Sequence, residues 1–184
     1  MSWFLRLFRS KTRAAAAERL YAAIVAQARE PAFYREGQVP DSLDGRFELV
    51  TLHAFLVLRR LRAEGSAGTR LAQLLFDRMF IDMDESLREI GVGDLGVGRR
   101  VKAMAKAFYG RASAYEAALS DLAAEPLERA LARNLYGTLS GRQDLPLAAM
   151  GRYLRQAAGA IEAQPGTALL EGQVSFPRAA LNSN

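Results

Sequence analysis

The sequence predicts an all-α protein: a single compact helical domain of about six helices with an N-terminal amphipathic arm. Apolar residues recur at helical spacing along most of the chain, and no segment alternates apolar and polar residues as a half-buried strand does. Glycine and proline end the periodic segments. The chain has 184 residues, 50% of them hydrophobic and 24% charged. This length and composition are typical of one globular domain and not of a disordered chain.

Each predicted helix has recognisable boundary residues. Pro31 ends the first and Gly65 ends the second, while Thr69 is the predicted N-cap of the third and Gly91 its C′ glycine. Pro126 takes the favoured first position of the fifth helix. The predicted helices cover about residues 13–30, 47–64, 70–90, 97–123, 126–139 and 145–163, with a turn-rich loop over residues 31–45.

The chain is predicted to have three parts. Residues 1–17 form a basic amphipathic arm, residues 18–165 the helical domain, and residues 166–184 a partly ordered C-terminal tail. The arm carries +4 of the chain's net charge of +5, because its four basic residues are accompanied by no acidic one.

The arm has the pattern of a peptide that binds a membrane surface. Aromatic and aliphatic residues share one helical face, and arginines lie towards the other, which suits an anionic interface. The expected membrane contacts are Trp3, Phe4, Arg6, Leu7, Phe8 and Arg9. No stretch approaches the ~20 apolar residues of a membrane span, and the arm lacks the features of a secretory signal. The alternative is an arm that packs back on the domain or is disordered.

Composition excludes several kinds of catalytic site. The chain has no cysteine, which excludes disulfides, thiolate catalysis and cysteine metal sites. The single histidine, His53, lies in an apolar helix and is predicted to be a buried or boundary residue with its ring hydrogen bonds satisfied. No serine, histidine and aspartate pattern suggests a catalytic triad. We therefore predict neither an enzyme nor a cofactor or metal.

Two further patterns have structural interpretations. Gly91, Gly93 and Gly96 match the spacing of a dinucleotide-binding loop, but that loop follows a strand, and here a helix precedes it. A helix–helix turn is the better interpretation. An acidic run lies on a predicted helix and not on a calcium-binding loop, so it indicates a solvated or salt-bridged face. It consists of Asp77, Asp82, Asp84, Glu85 and Glu89.

A basic cluster follows the acidic helix and leaves two hypotheses open. It consists of Arg99, Arg100, Lys102, Lys106 and Arg111. These residues either pair with the acidic helix inside the domain, or meet an external anion such as RNA, a lipid headgroup or an acidic partner. The neighbouring Phe108 and Tyr109 are more typical of a core than of a base-stacking platform.

A long motif resembles the core signature of the ubiquinol–cytochrome c chaperone family. The motif is FDRMFIDMDESLREIGVGDLGVG over residues 76–98, followed by RRVKAMAKAFYGR over residues 99–111. The resemblance extends from about residue 20 to residue 154. In its length and its N-terminal arm, the chain is similar to the bacterial branch of the family. It implies an all-helical assembly chaperone without a cofactor.

The resemblance also implies partners and a location. The expected client is newly synthesised cytochrome b, bound for biogenesis of the ubiquinol–cytochrome c reductase (bc1) complex. The chaperone is expected in the cytoplasm, peripheral at the inner face of the bacterial cytoplasmic membrane. Mitochondrial members act near the ribosomal tunnel exit, so the ribosome is a candidate partner, whereas DNA is not expected. The alternative function is an RNA- or ribosome-binding module that uses the basic cluster.

The motif supplies the candidate client- or partner-binding residues. They are Asp77, Met79, Asp82, Asp84, Arg88, Asp94, Lys102, Tyr109 and Arg111. Some of these are expected to hold two helices together and others to touch the client. The methionines Met79, Met83 and Met104 are adaptable contacts if exposed, and core residues otherwise.

Overall fold

A computed structural model confirms the all-α prediction. It describes residues 3–139 and 141–181, with side chains from residue 11 onward except that of Leu95. All regular structure in these ranges is helical. The helices are α1 (Trp3–Ala28), α2 (Pro31–Arg35), α3 (Leu43–Arg62), α4 (Gly65–Glu89), α5 (Asp94–Ser120), α6 (Glu125–Asn134), α7 (Leu147–Glu162) and α8 (Gly166–Leu170), with a 3₁₀ turn at Gly137–Leu139 after α6.

Helix α3 is the centre of the fold. Residues 47–58 are all buried, and the helix packs against α1, α4, α5, α7 and α8. Residues 47–58 are apolar apart from Glu48, Thr51 and His53, and a helix with apolar side chains on all sides is stable inside a core. Its start is defined by Ser42, whose hydroxyl oxygen accepts the backbone N–H of Gly45 at 3.1 Å.

The turn between α4 and α5 is a Schellman motif. Gly91 has φ 85°, which glycine adopts without steric cost. The N–H of Gly91 donates to the carbonyl of Arg88 at 2.9 Å, and that of Val92 donates to Leu87 at 3.1 Å. The prediction of Gly91 as a C′ glycine is therefore confirmed, and the glycine-rich stretch follows a helix and not a strand.

Several helix boundaries differ from the predictions. Thr69 is not an N-cap, because α4 already begins at Gly65 and the Thr69 hydroxyl donates to the Gly65 carbonyl at 3.0 Å. Helix α5 begins at Asp94, earlier than predicted, and α2 occupies the start of the predicted loop. Helix α6 ends at Asn134, and its extension becomes the 3₁₀ turn.

The C-terminal segment to residue 181, which lies within the predicted tail, packs on the domain. Leu169 and Leu181 are buried in the core. The Gln164 side chain donates to the Ser175 carbonyl at 2.8 Å and accepts the Ser175 N–H at 2.9 Å. The segment follows α8 without regular structure, so its order comes from these long-range contacts, which helical periodicity does not predict.

Helix α1 is continuous through the predicted arm. Its backbone is helical from Trp3 to Ala28, and the first buried side chain among those described is Ala16. The expected membrane contacts lie outside the described side chains; they are Trp3, Phe4, Arg6, Leu7, Phe8 and Arg9. In the described part of the chain, no helix has the length and apolar character needed to cross a membrane.

The predicted burial of His53 is confirmed. Its Nδ1 lies 2.7 Å from the Leu49 carbonyl, which only accepts, so Nδ1 carries the proton. Its Nε2 then accepts from the Tyr153 hydroxyl at 2.7 Å, and that hydroxyl oxygen accepts from the Gln27 amide at 3.0 Å. Burial lowers the pKa of His53 to about 4.

The stability of the fold should therefore decrease on acidification. Between the unfolded pKa of 6.5 and the folded pKa of about 4, only the unfolded chain binds a proton at His53. From about pH 7.5 to about pH 5, the wild type should lose about 2 kcal/mol more unfolding free energy than His53→Gln. Urea denaturation of both proteins measures this. Identical pH dependence in the two would contradict the assignment.

Candidate functional site

Exposed apolar side chains concentrate on α4 and α5. Among the described residues, Ile81, Ile90 and Tyr109 are large apolar residues with exposed fractions of 53%, 59% and 59%. Two further large apolar residues are exposed, Leu43 at the start of α3 and Leu122 in the α5–α6 connection. Scattered exposed apolar residues are ordinary, but Ile81 on α4 and Tyr109 on α5 lie on neighbouring helices and indicate a surface that a partner could cover. Ile90 lies in the turn that follows α4.

Aromatic packing fixes the position of Tyr109. Its ring centroid lies 5.4 Å from that of Phe76 on α4, and Phe76 lies 4.7 Å from Phe80. The Phe108 ring packs edge-on against Phe76 at 5.4 Å. Tyr109 is thus held on the α4–α5 surface while 59% of it remains exposed.

Charged residues surround this apolar surface. A depression of about 460 Å³ is lined by Asp77, Phe80, Ile81, Asp84, Glu85 and Val101. On α5, Lys102 lies two helical turns before Tyr109, on the same side of the helix. We call this surface the outer α4–α5 face and define it by Asp77, Ile81, Asp84, Glu85, Val101, Lys102 and Tyr109.

Arg88 connects the end of α4 to the start of α5. Its guanidinium donates to Asp84 at 2.6 Å and also pairs with Asp94. Both ion pairs are largely exposed, so each contributes little to stability. Together they nevertheless link the last turn of α4 to the first turn of α5 beside the outer face. Each of these three predicted site residues therefore has an ion-pair partner within the chain.

Asp82 lies in the seam between α4 and α1. It accepts the Tyr21 hydroxyl at 2.7 Å, and burial together with this bond raises the pKa of Tyr21 well above its usual range. Next to it, Arg78 donates to Glu18 at 2.9 Å. The carboxylate of Asp82 therefore has a partner within the chain and holds two helices together.

Arg111 and Glu48 form a nearly buried ion pair between α5 and α3. The guanidinium donates two hydrogen bonds to the carboxylate, the one from Nε measuring 2.5 Å. The Glu48 side chain is only 9% exposed. Burial raises the pKa of Glu48, and the Arg111 charge acts in the opposite direction. Arg111 thus neutralises a carboxylate that the buried helix α3 places at the edge of the core.

The remaining predicted residues separate by exposure. Met79 is fully buried and Met83 nearly so, so both are core residues that a partner cannot reach in this fold. Asp77, Lys102 and Tyr109 are exposed, and none of the three forms an ion pair with a described side chain.

The basic cluster does not pair with the acidic helix. In the described part of the chain, four of its members are exposed and form no ion pair; they are Arg99, Arg100, Lys102 and Lys106. Only Arg111 is neutralised, and its partner lies on α3. The hypothesis of internal pairing with the acidic helix is therefore wrong for this cluster.

A groove opens between α3, α5 and α6. Its volume is about 620 Å³, and we call it the α3–α5–α6 groove. Its lining includes Phe47 and Glu48 from α3, Ala103, Met104 and Ala107 from α5, and Leu135 and Thr138 after α6. Leu43, Asp44, Leu87, Arg100, Arg111, Arg133 and Asn134 complete its principal walls.

Sequence reasoning missed Ile81 and the groove. Ile81 lies outside the apolar stripe of α4, between Asp77 and Asp84 on the polar face. An isoleucine at such a position could have been recognised from the sequence as a candidate contact residue. No signal predicted the groove, because its walls come from three segments that are distant in sequence.

Comparison with known proteins assigns the family. A sequence model of the family described as Ubiquinol-cytochrome C chaperone matches residues 35–176. The chain belongs to this family. The matched range of the ubiquinol–cytochrome c chaperone family contains the outer α4–α5 face and the groove but not α1.

Solved and curated relatives agree with this assignment. The crystal structure of the Cbp3 homolog from Brucella abortus has a TM-score of 0.83 and 41% identity, covering 96% of this chain and 97% of that chain. The ubiquinol-cytochrome-c reductase complex assembly factor 1 of Xenopus laevis is 26% identical over 70% of this chain and 62% of its own length. The Homo sapiens protein is 26% identical over 88% of this chain and 54% of its own. The chain thus spans between about half and three fifths of these two curated relatives.

The Arg111–Glu48 pair should be a stability determinant. Arg111→Ala leaves a buried carboxylate without its counter-charge and should lower the unfolding free energy by about 3 kcal/mol. Lys106→Ala, an exposed cation on the same helix, should change it by less than about 0.5 kcal/mol. Urea denaturation at neutral pH compares the two. Equal effects of both substitutions would show that Arg111 is not structural.

Proposed function

We propose that this protein is a non-enzymatic assembly chaperone that binds newly synthesised cytochrome b for biogenesis of the bc1 complex. Membership of the ubiquinol–cytochrome c chaperone family supports this proposal, as do curated relatives named assembly factors of ubiquinol-cytochrome c reductase. A client with many membrane spans exposes apolar segments before assembly, and its chaperone must cover them while keeping a polar surface of its own.

The outer α4–α5 face is the observation that carries the proposal. It presents Ile81 and Tyr109, both more than half exposed, between acidic residues on α4 and Lys102 on α5. Apolar and aromatic anchors inside a polar rim are typical of protein-binding surfaces. The charged rim would orient the client, and the anchors would supply most of the binding free energy.

The other motif residues, together with Asp84 at the edge of the face itself, would maintain the shape of this face. Asp84, Arg88 and Asp94 close the α4–α5 turn through their ion pairs. Asp82 holds α4 against α1, and Arg111 holds α5 against α3. We assign these residues, with the buried Met79, to the shape of the surface, and Asp77, Lys102 and Tyr109 to client contact.

RNA or ribosome binding is a second candidate function. It is favoured by the exposed and unpaired state of Arg99, Arg100, Lys102 and Lys106 in the described part of the chain. Four phosphate contacts to a single strand would give a slope of about −3 for log affinity against log salt. A client held mainly by apolar anchors has a much weaker salt dependence.

Removing the anchors should strongly reduce client recovery. Ile81→Ser combined with Tyr109→Ser should lower recovery of cytochrome b roughly tenfold, because truncated anchors dominate such interfaces. The measurement is a pull-down of the tagged chain from native membranes in mild detergent, with mass spectrometry of the bound proteins.

Leu122→Ser is the matched control, because Leu122 is 96% exposed and lies off the outer α4–α5 face. It should leave recovery unchanged. Loss of cytochrome b in the control as well would contradict the assignment of the face. If the wild-type sample contained ribosomes or RNA but no cytochrome b, the result would contradict the proposed client function and support RNA or ribosome binding.

We further propose that the arm attaches the chaperone reversibly to the inner face of the cytoplasmic membrane. The support is the sequence of the arm, with +4 in its first seventeen residues, and the helical backbone from Trp3 onward. Each basic residue contributes about 1 kcal/mol near an anionic surface. A helix that starts at the membrane would bring the outer α4–α5 face close to a newly inserted client.

Neutralising the arm should weaken membrane binding. Arg6→Gln with Arg9→Gln should lower the partition coefficient onto phosphatidylglycerol-containing vesicles roughly 30-fold, as expected for two lost charges. Arg152→Gln with Arg178→Gln removes the same charge elsewhere and should have little effect. Vesicle co-sedimentation measures both. Equal losses in the two double variants would indicate non-specific attraction and not attachment through the arm.

A further inference from the structure

The α3–α5–α6 groove leaves one side of α5 uncovered. The α5 residues that line it are Arg100, Ala103, Met104, Ala107 and Arg111. This is the i, i+3, i+4, i+7, i+11 spacing of a single helical face. The stripe rises about 16 Å along the axis, which is about three turns of a helix. Its two alanines leave room for another backbone to approach closely.

The groove lies on the opposite side of α5 from the outer α4–α5 face. Rotation of about 100° per residue places Lys102 and Tyr109 roughly half a turn away from Arg100 and Ala107. The groove is therefore a separate surface, and an occupant would not compete directly with a client bound at the outer face. An inference about the groove does not rest on the proposed cytochrome b function.

The charges of the lining favour an acidic occupant. Arg100 and Arg133 are exposed and form no ion pair with any described side chain. Glu48 is neutralised by Arg111, which leaves Asp44 as the other carboxylate of the lining. Two unpaired guanidinium groups beside an apolar floor are suited to carboxylates that flank an apolar stripe.

We propose that the groove binds an amphipathic helix of a partner protein whose apolar face is flanked by aspartate or glutamate. Small and flexible side chains on α5 receive the apolar face, as in other helix-in-groove interfaces. Arg100 and Arg133 pair with the flanking carboxylates. The volume of about 620 Å³ accommodates several side chains of such a helix and not a whole domain.

A synthetic helix tests the proposal directly. The probe is a fluorescein-labelled, capped 14-residue peptide with a leucine stripe at helical spacing flanked by glutamates, and its control replaces each glutamate with lysine. Fluorescence anisotropy with the full chain should give at least about tenfold tighter binding of the glutamate peptide, because two guanidinium groups line the groove. Equal affinity for both peptides would overturn the charge assignment.

Substitutions in the chain locate the site. Arg100→Glu with Arg133→Glu should weaken binding of the glutamate peptide about tenfold or more and favour the lysine peptide. Ala107→Trp should block both peptides by filling the groove, with circular dichroism confirming the fold. Arg99→Glu with Lys106→Glu makes the same charge change away from the lining and should leave an affinity close to that of wild type. Loss of binding in this control equal to that in the first double variant would overturn the proposal.

The same variants separate the groove from the client surface. Ala107→Trp should leave recovery of cytochrome b from membranes unchanged, and Ile81→Ser with Tyr109→Ser should leave peptide affinity unchanged. If each variant abolished both activities, the groove would not be an independent site and the inference would fail. Failure of cytochrome b recovery with intact peptide binding would count against the proposed client function alone.

Discussion

Burial of residues 47–58 of α3 on every side is the constraint on which the rest of the structure depends. Within this stretch Glu48 and His53 are buried ionisable side chains, so each needs a hydrogen-bond partner. His53 obtains one from Tyr153 on α7, and Glu48 obtains one from Arg111 on α5. These two contacts attach helices from distant parts of the chain to the same central rod. The packing of α3 therefore determines where α5 and α7 lie.

Helix α5 acquires two free faces as a consequence. Its inward side is occupied by Phe108, Ala112 and Tyr115, which are buried in the core. The side towards α4 continues into the outer face with Tyr109, and the other side forms the wall of the groove. One helix thus separates two surfaces of different character: an apolar face between opposite charges, and a concave groove with unpaired arginines. This arrangement is suited to a protein that holds one partner while meeting another.

Much of the helical architecture was predictable from local pattern. Apolar periodicity located the long helices, and Gly91 was interpreted correctly because its backbone preference acts locally. Pro126 marks the start of α6 but takes the second helical position, one residue later than predicted. The site was less predictable. Among the motif residues, Arg111 carried the same apparent signal as Lys102, yet one neutralises Glu48 and the other is exposed. The sequence around a charged residue does not indicate its ion-pair partner when that partner lies more than sixty residues away.

By itself, the sequence determined the all-α class, the position of the α4–α5 turn and, through a long motif, the family. These properties depend on residues close together in the chain or on an extended pattern of residue identities. Only the tertiary structure decided which motif residues face solvent, that residues 166–181 complete the core, and that a groove lies between α3, α5 and α6. The physical reason is that exposure and concavity arise where separate helices meet. The apolar periodicity of one helix shows which face is buried, but it does not show which distant segment packs against that face.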